Sequence, residues 1–213
     1  MQIKDFSLYL ITDRHQTGGK ELTEVLRQSL EEGVRAVQLR EKDLSGAEVY
    51  RLALELRALT RSYGARLMIN DRLDIALAVE ADGVQLGVNS LPVAVARRLL
   101  GRQMIIGYSA HAIDEALRAQ TDGADFIMFS PLYHTPSKAA YGEPCGVRTL
   151  AEAACALDIP VIALGGIGQT NIIDALSANV QGIAVISAIL AAADPRAAAA
   201  SLLKKIEEYA QHP

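Results

Sequence analysis

Short runs of apolar, largely β-branched residues alternate along the chain with longer segments whose apolar positions recur at helical spacing. Eight runs read as strands: FSLYLIT (6–12), RAVQLR (35–40), RLMIN (66–70), GVQLG (83–87), MIIGYS (104–109), DFIMFS (125–130), PVIALGG (160–166) and GIAVIS (182–187). Between them lie amphipathic segments, among them ELTEVLRQSLEEG, AEVYRLALELRALTRSYG, LPVAVARRLLG, IDEALRAQTDG, TNIIDALSANV and PRAAAASLLKKIEEYA. Glycine ends several of them, at Gly33, Gly64, Gly101 and Gly123, where a residue free to take positive φ stops a helix at little cost. Apolar strands that alternate with helices predict a parallel sheet covered by those helices.

Eight such units in 213 residues predict an α/β fold, a single-domain (β/α)₈ TIM barrel spanning 1–213 with little insertion. An open doubly wound sheet is the runner-up, but no GxGxxG opens the first helix. Half the residues are apolar, enough for a substantial core, and the formal charge of −4 gives no footprint for nucleic acid or an anionic membrane. Any anion must therefore be caught by local groups. Cys145 and Cys155 have neither metal-ligand nor disulfide-framework spacing. MQIKDFSLYLITD has neither the basic start nor the long apolar run of a signal peptide, which points to the cytoplasm. Apolar positions on the outer helices leave a homo-oligomer open.

A barrel places its active site at the carboxyl ends of the strands, so polar residues there become candidates. The first strand ends in Thr12 and Asp13. The second carries Gln38, Arg40 and Lys42 at period two, which puts three hydrogen-bonding groups on one side of the chain. Two cations there suit a bound anion; the plain alternative pairs Arg40 with Glu41 or Asp43 and leaves Lys42 in water. The third strand ends in Asn70 and Asp71. That pair suits a hard, oxygen-seeking cation such as Mg²⁺, and Asp71 alone suits a helix N-cap. Ser109 ends the fifth strand as a phosphate donor, and His111 reads as the start of the next helix.

The sixth strand opens onto FSPLYHTPSKAAYGEP (129–144). Thr135, Ser137 and Lys138 there offer two hydroxyls and a cation for an anion, while prolines 131, 136 and 144 stiffen the loop. After strands seven and eight, LGGIG and AVISAI place Gly165, Gly166, Ile186 and Ser187 where barrels often bind phosphate through main-chain amides. Tight turn packing is the plain alternative for the glycines.

LYLITD, VQLREK, IND, ADGVQLG, SAH, TPSK, PVIALGGI and AVISAI, in that order over nearly the whole chain, resemble the motifs of the thiamine phosphate synthase and TenI family. The resemblance implies a transferase of thiamine biosynthesis. It would join an aminomethyl-pyrimidine diphosphate to a thiazole phosphate, with Mg²⁺ as cofactor, giving thiamine phosphate and pyrophosphate. It also implies that Gln38, Arg40, Lys42, Asn70, Ser109 and Lys138 hold the pyrimidine diphosphate, with Arg40, Lys42 and Lys138 as the catalytic cations. By the same resemblance Asp71 holds the metal, and Thr135, Ser137, Gly166, Ile186 and Ser187 hold the thiazole phosphate.

Two positions depart from the synthases, which usually read HLGQxD where this chain reads QLGVNS: Gln85 replaces the histidine, and Ser90 the second metal carboxylate. One carboxylate in place of two implies weaker metal binding or lost coupling activity, with Asn89 as a candidate further oxygen donor. The TenI-type thiazole tautomerases are the alternative, but their catalytic histidine aligns with Pro131, which moves no proton, leaving His134 nearby. A noncatalytic barrel that binds thiamine phosphates is the third reading.

Overall fold

Residues 6–134 and 143–211 are described by the computed structural model of the chain. The strands are β1 (Leu8–Ile11), β2 (Ala36–Leu39), β3 (Arg66–Asn70), β4 (Gly83–Leu86), β5 (Ile105–Ala110), β6 (Phe126–Phe129), β7 (Val161–Leu164) and β8 (Gly182–Val185). Each pairs in parallel with the next, and β1 pairs with β8, so the sheet closes into an eight-stranded barrel. The described helices are α1 (Leu22–Glu31), α2 (Gly46–Ser62), α3 (Leu73–Ala78), α4 (Val93–Leu100), α5 (Ile113–Thr121), α6 (Gly146–Ala156), α7 (Ile172–Leu176), α8 (Ser187–Leu190) and α9 (Pro195–Gln211). The glycines read as stop signals after α1, α2, α4 and α5 all take positive φ, at 115°, 62°, 67° and 102°.

Several strands are shorter than the apolar runs that predict them. β1 occupies Leu8–Ile11 inside 6–12, and β7 Val161–Leu164 inside 160–166, because pairing stops where the chain turns into the loops. The run read as a strand through 187 leaves the sheet after Val185, and Ser187 opens the four-residue α8 instead.

The period-two alternation of the strands sorts the core into two apolar clusters. One lies between sheet and helices, with Leu10, Val37, Ile69 and Ile106 packed beneath Leu26, Leu56 and Leu202. The other fills the barrel itself, with Phe6, Tyr9, Met68, Phe126 and Met128 among its members. Phe6 meets Tyr9 and Phe126 edge-on, both at 5.4 Å between ring centroids. Each such buried aromatic contributes roughly 1.5–3 kcal/mol. A β-carbon on Gly107 would lie 2.2 Å from both the Phe126 ring and Gln85 Oε1, so this strand position must lack a side chain for the plug to fit.

Above that apolar plug the same inward rows turn polar, with Gln38 on β2, Asn70 on β3, Gln85 on β4 and Ser109 on β5. Gln38 and Gln85 are buried, and the Oε1 of each has no hydrogen-bond partner among the described residues. At the opposite end, Asp82 accepts from Arg57 (2.6 Å), Arg66 (2.8 Å) and the Leu67 amide (2.8 Å). Asp125 repeats the device with Arg97 and the Ile106 amide. These carboxylates tie the lower rims of neighbouring strands and leave the mouth free for chemistry.

Candidate active site

At the mouth, Arg40 and Lys42 leave the end of β2. The buried Thr12 hydroxyl accepts from the Arg40 amide at 2.9 Å, and the Thr12 amide donates to the Gln38 carbonyl at 2.9 Å, so the chain is fixed just before its cations. The alternative that pairs Arg40 with Glu41 or Asp43 is not what the structure shows. Both carboxylates are taken by Arg14, and Asp43 also meets His15 Nε2 at 3.0 Å. Among the described residues neither Arg40 nor Lys42 has a carboxylate partner.

A hydrogen-bond chain runs from the buried floor to the rim. Gln38 Nε2 donates to Asn70 Oδ1 at 2.9 Å, and Asn70 Nδ2 donates to Asp71 Oδ2 at 2.6 Å. The Ser90 hydroxyl donates to Asp71 Oδ1 and accepts from the Gly87 amide at 2.7 Å. Asp71 sits at φ 60°, a left-handed conformation costly for any residue with a β-carbon, and its amide donates to the Gln85 carbonyl at 3.0 Å. The N-cap reading of Asp71 fails: Arg72 occupies the cap of α3, without a side-chain capping bond to the backbone, and its guanidinium forks onto the Asp74 carboxylate in the first turn.

On β5, Ser109 accepts from Gln85 Nε2 at 2.9 Å. His111 does more than start a helix. Its Nδ1 lies 2.5 Å from the Ser130 carbonyl, which only accepts, so Nδ1 carries the proton. Glu115 takes the His111 amide and the Tyr108 hydroxyl, both at 2.8 Å. Burial, then the bond to Glu115, push the Tyr108 phenol up to about 12.

Arg40, Lys42, Asn70, Asp71, Ser109 and His111 line one cleft of about 140 Å³, together with the Gly87–Ser90 turn. A larger hollow of about 600 Å³ lies beside it, between that turn and α5, sharing Gly87, Val88, Ser90 and His111. Across the mouth, Gly165 and Gly166 take φ of 110° and 68° after β7, and Ile186 and Ser187 stand at the junction of β8 with α8. Thr135, Ser137 and Lys138 lie outside the described residues. His134 is described and exposed, and Pro131 is buried.

Asp71 is the one carboxylate among the described residues of the cleft, and no group of three or more metal-ligating side chains occurs among them. Each Asp71 oxygen accepts a single hydrogen bond and keeps lone-pair capacity. That donor set fits a hard cation that takes one protein carboxylate and draws its other ligands from a phosphorylated substrate and water. It does not form an all-protein cage.

Residues 8–189 match the family model of thiamine monophosphate synthase. The chain belongs to that family. It is 57% identical over 199 residues to a putative thiamine-phosphate synthase of Geobacter sulfurreducens, covering 93% of each chain. To a thiamine-phosphate synthase of Moorella thermoacetica it is 43% identical over 197 residues, covering 92% of this chain and 94% of that one. A solved thiamine phosphate pyrophosphorylase from Pyrococcus furiosus superposes with a TM-score of 0.89 at 40% identity, covering 96% of this chain and 97% of that one. A 3-hexulose-6-phosphate synthase, at 17% identity and TM-score 0.66 over 92% of this chain and 97% of that one, shares the fold alone.

Within this family's barrel, sequence reasoning passed over two residues. Arg14 stands 27 residues from Glu41, too far for a local pattern to join them. Glu115 had a signal, four residues beyond His111 in the first turn of α5, where a carboxylate can turn back to the chain before the helix.

Proposed function

We propose that the protein couples 4-amino-2-methyl-5-hydroxymethylpyrimidine diphosphate to thiazole phosphate, as a cytoplasmic enzyme yielding thiamine phosphate and pyrophosphate. The observation that carries this reading is the single cleft at the barrel mouth where Arg40, Lys42, Asn70, Asp71 and Ser109 converge. Family membership supplies the reaction, and the cleft supplies groups suited to it.

In this reading the bond between the pyrimidine methylene and the diphosphate oxygen breaks, its electron pair leaving with the diphosphate. The thiazole nitrogen lone pair then forms the new C–N bond. The chain's work is electrostatic, because negative charge grows on the departing oxygen while a cation develops on the ring. Arg40 and Lys42, together with Lys138, take up that charge as the catalytic cations. Gln38, Asn70 and Ser109 orient the pyrimidine diphosphate from the barrel floor. Thr135, Ser137, Gly166, Ile186 and Ser187 hold the thiazole phosphate. Asp71 would hold Mg²⁺, which supplies charge neutralisation of the diphosphate.

Mixing both substrates with Mg²⁺ tests the reading. Pyrophosphate and thiamine phosphate are expected in equal amounts, and Arg40→Ala or Lys42→Ala should lower kcat by about 10²-fold or more. Absence of pyrophosphate at saturating substrate and metal overturns it.

A further inference from the structure

The segment Arg40-Glu41-Lys42-Asp43 carries two cations and two carboxylates, and on its own it is electrically neutral. An anion site built on it needs its carboxylates occupied elsewhere, since the anionic ligand and the chain's own carboxylates compete for the same donors. The structure shows what occupies them. The Arg14 amide lies 3.1 and 3.2 Å from the two oxygens of Glu41, and its Nη1 reaches Glu41 Oε2 at 3.1 Å. The same guanidinium forks onto Asp43, Nη1 to Oδ1 at 2.6 Å and Nη2 to Oδ2 at 2.5 Å.

Arg14 is itself held in place. It opens a 3₁₀ turn over Arg14–Gln16, in which Asp13 accepts from the His15 amide at 3.1 Å and from Gln16 Nε2 at 2.6 Å. The Thr17 hydroxyl donates to the Arg14 carbonyl at 3.1 Å. The Glu41 side chain is 1% exposed, so the contact is built into the fold, whereas Asp43, at 53%, would keep only the exposed His15 ring as a partner without Arg14.

We propose that Arg14 is a positioning residue of the reaction: it sequesters the Glu41 and Asp43 carboxylates, keeping Arg40 and Lys42 available to a diphosphate. The inference rests on the reading that those two cations hold the diphosphate. Arg14 acts through Glu41 and Asp43, and the effect it governs is charge at the cleft. The hydrogen bond from Arg14, then that from His15, hold the Asp43 carboxyl well below the usual carboxylate range.

The experiment titrates inorganic pyrophosphate into the full-length protein calorimetrically, in the presence of Mg²⁺. Arg14→Gln is expected to weaken binding about tenfold, and the triple variant Arg14→Gln, Glu41→Gln, Asp43→Asn to return it to within about twofold of the wild type. Restoration on deleting the carboxylates separates charge sequestration from loop bracing, since removing two more side chains cannot rebuild a lost brace. Arg14→Gln alone strands a buried Glu41 carboxylate and can unfold the chain. The pair Arg14→Gln, Glu41→Gln covers that case, because there Asp43→Asn should tighten pyrophosphate binding about threefold or more. Unchanged affinity in Arg14→Gln, weakening that the triple variant does not relieve, or no gain from Asp43→Asn in the paired background overturns the inference. A wild type that binds no pyrophosphate, or binds it equally after Arg40→Ala, removes the diphosphate reading beneath it.

Discussion

The hydroxyl of Ser90 donates to Asp71 Oδ1 and in turn accepts from the Gly87 amide at 2.7 Å. Ser90 thus stays against Asp71, and the turn after β4 has not drifted from the cleft although it carries no carboxylate. Ser90→Asp should place a second carboxylate there and tighten Mn²⁺ binding by on the order of tenfold, as read by electron paramagnetic resonance. Without metal the two like charges repel, so the variant should melt below the wild type in EDTA and regain the difference in Mg²⁺. Equal metal affinity in both proteins would show that residue 90 does not reach the cation.

Asp82 anchors the end of the barrel away from the cleft, with Arg57 and Arg66 on its oxygens and its side chain 9% exposed. Asp82→Ala leaves two guanidinium groups and the Leu67 amide without their acceptor. The expected loss is about 3–5 kcal/mol, seen as a lower urea midpoint with an unchanged slope. Turnover per folded molecule should hold, since none of the described residues lining the cleft bonds to the Asp82 side chain.

Tyr108 sets a limit on alkaline stability. Its folded phenol ionises at about 12, while an unfolded tyrosine ionises at about 10. Between those values the folded state binds more protons than the unfolded state. The contribution is therefore fully present below about pH 10 and is lost as pH rises toward 12. Urea midpoints should fall across that window, and Tyr108→Phe should flatten the fall. It should also cost about 1 kcal/mol at neutral pH through the lost bond to Glu115. An identical alkaline slope in the variant would assign the effect to other tyrosines, of which Tyr63 and Tyr133 are also shifted upward by burial.

The barrel and its mouth were legible because period-two apolar runs, helix stops and short connections are local signals that agree with one another. Period two alone puts Gln38, Arg40 and Lys42 on one side of the chain, and the structure brings Arg40 and Lys42 into one cleft with Asn70 and Ser109. Partnerships were not legible. Nothing local says that Glu41 turns outward to Arg14, or that Asp71 leaves the helix cap to Arg72, because burial and closure of the sheet decide both. The four-residue α8 escaped for another reason: AVISAI is too short to show a helical period and too apolar to look unlike a strand.

A diphosphate and a divalent cation are expected to share the cleft of Arg40, Lys42 and Asp71. A crystal grown with Mn²⁺ and pyrophosphate tests it through the anomalous signal of the metal. The expected result is a manganese peak about 2.0–2.2 Å from an Asp71 oxygen, bridged to a pyrophosphate that contacts Arg40 and Lys42. A peak bound elsewhere, or a pyrophosphate seated away from those two cations, would contradict it.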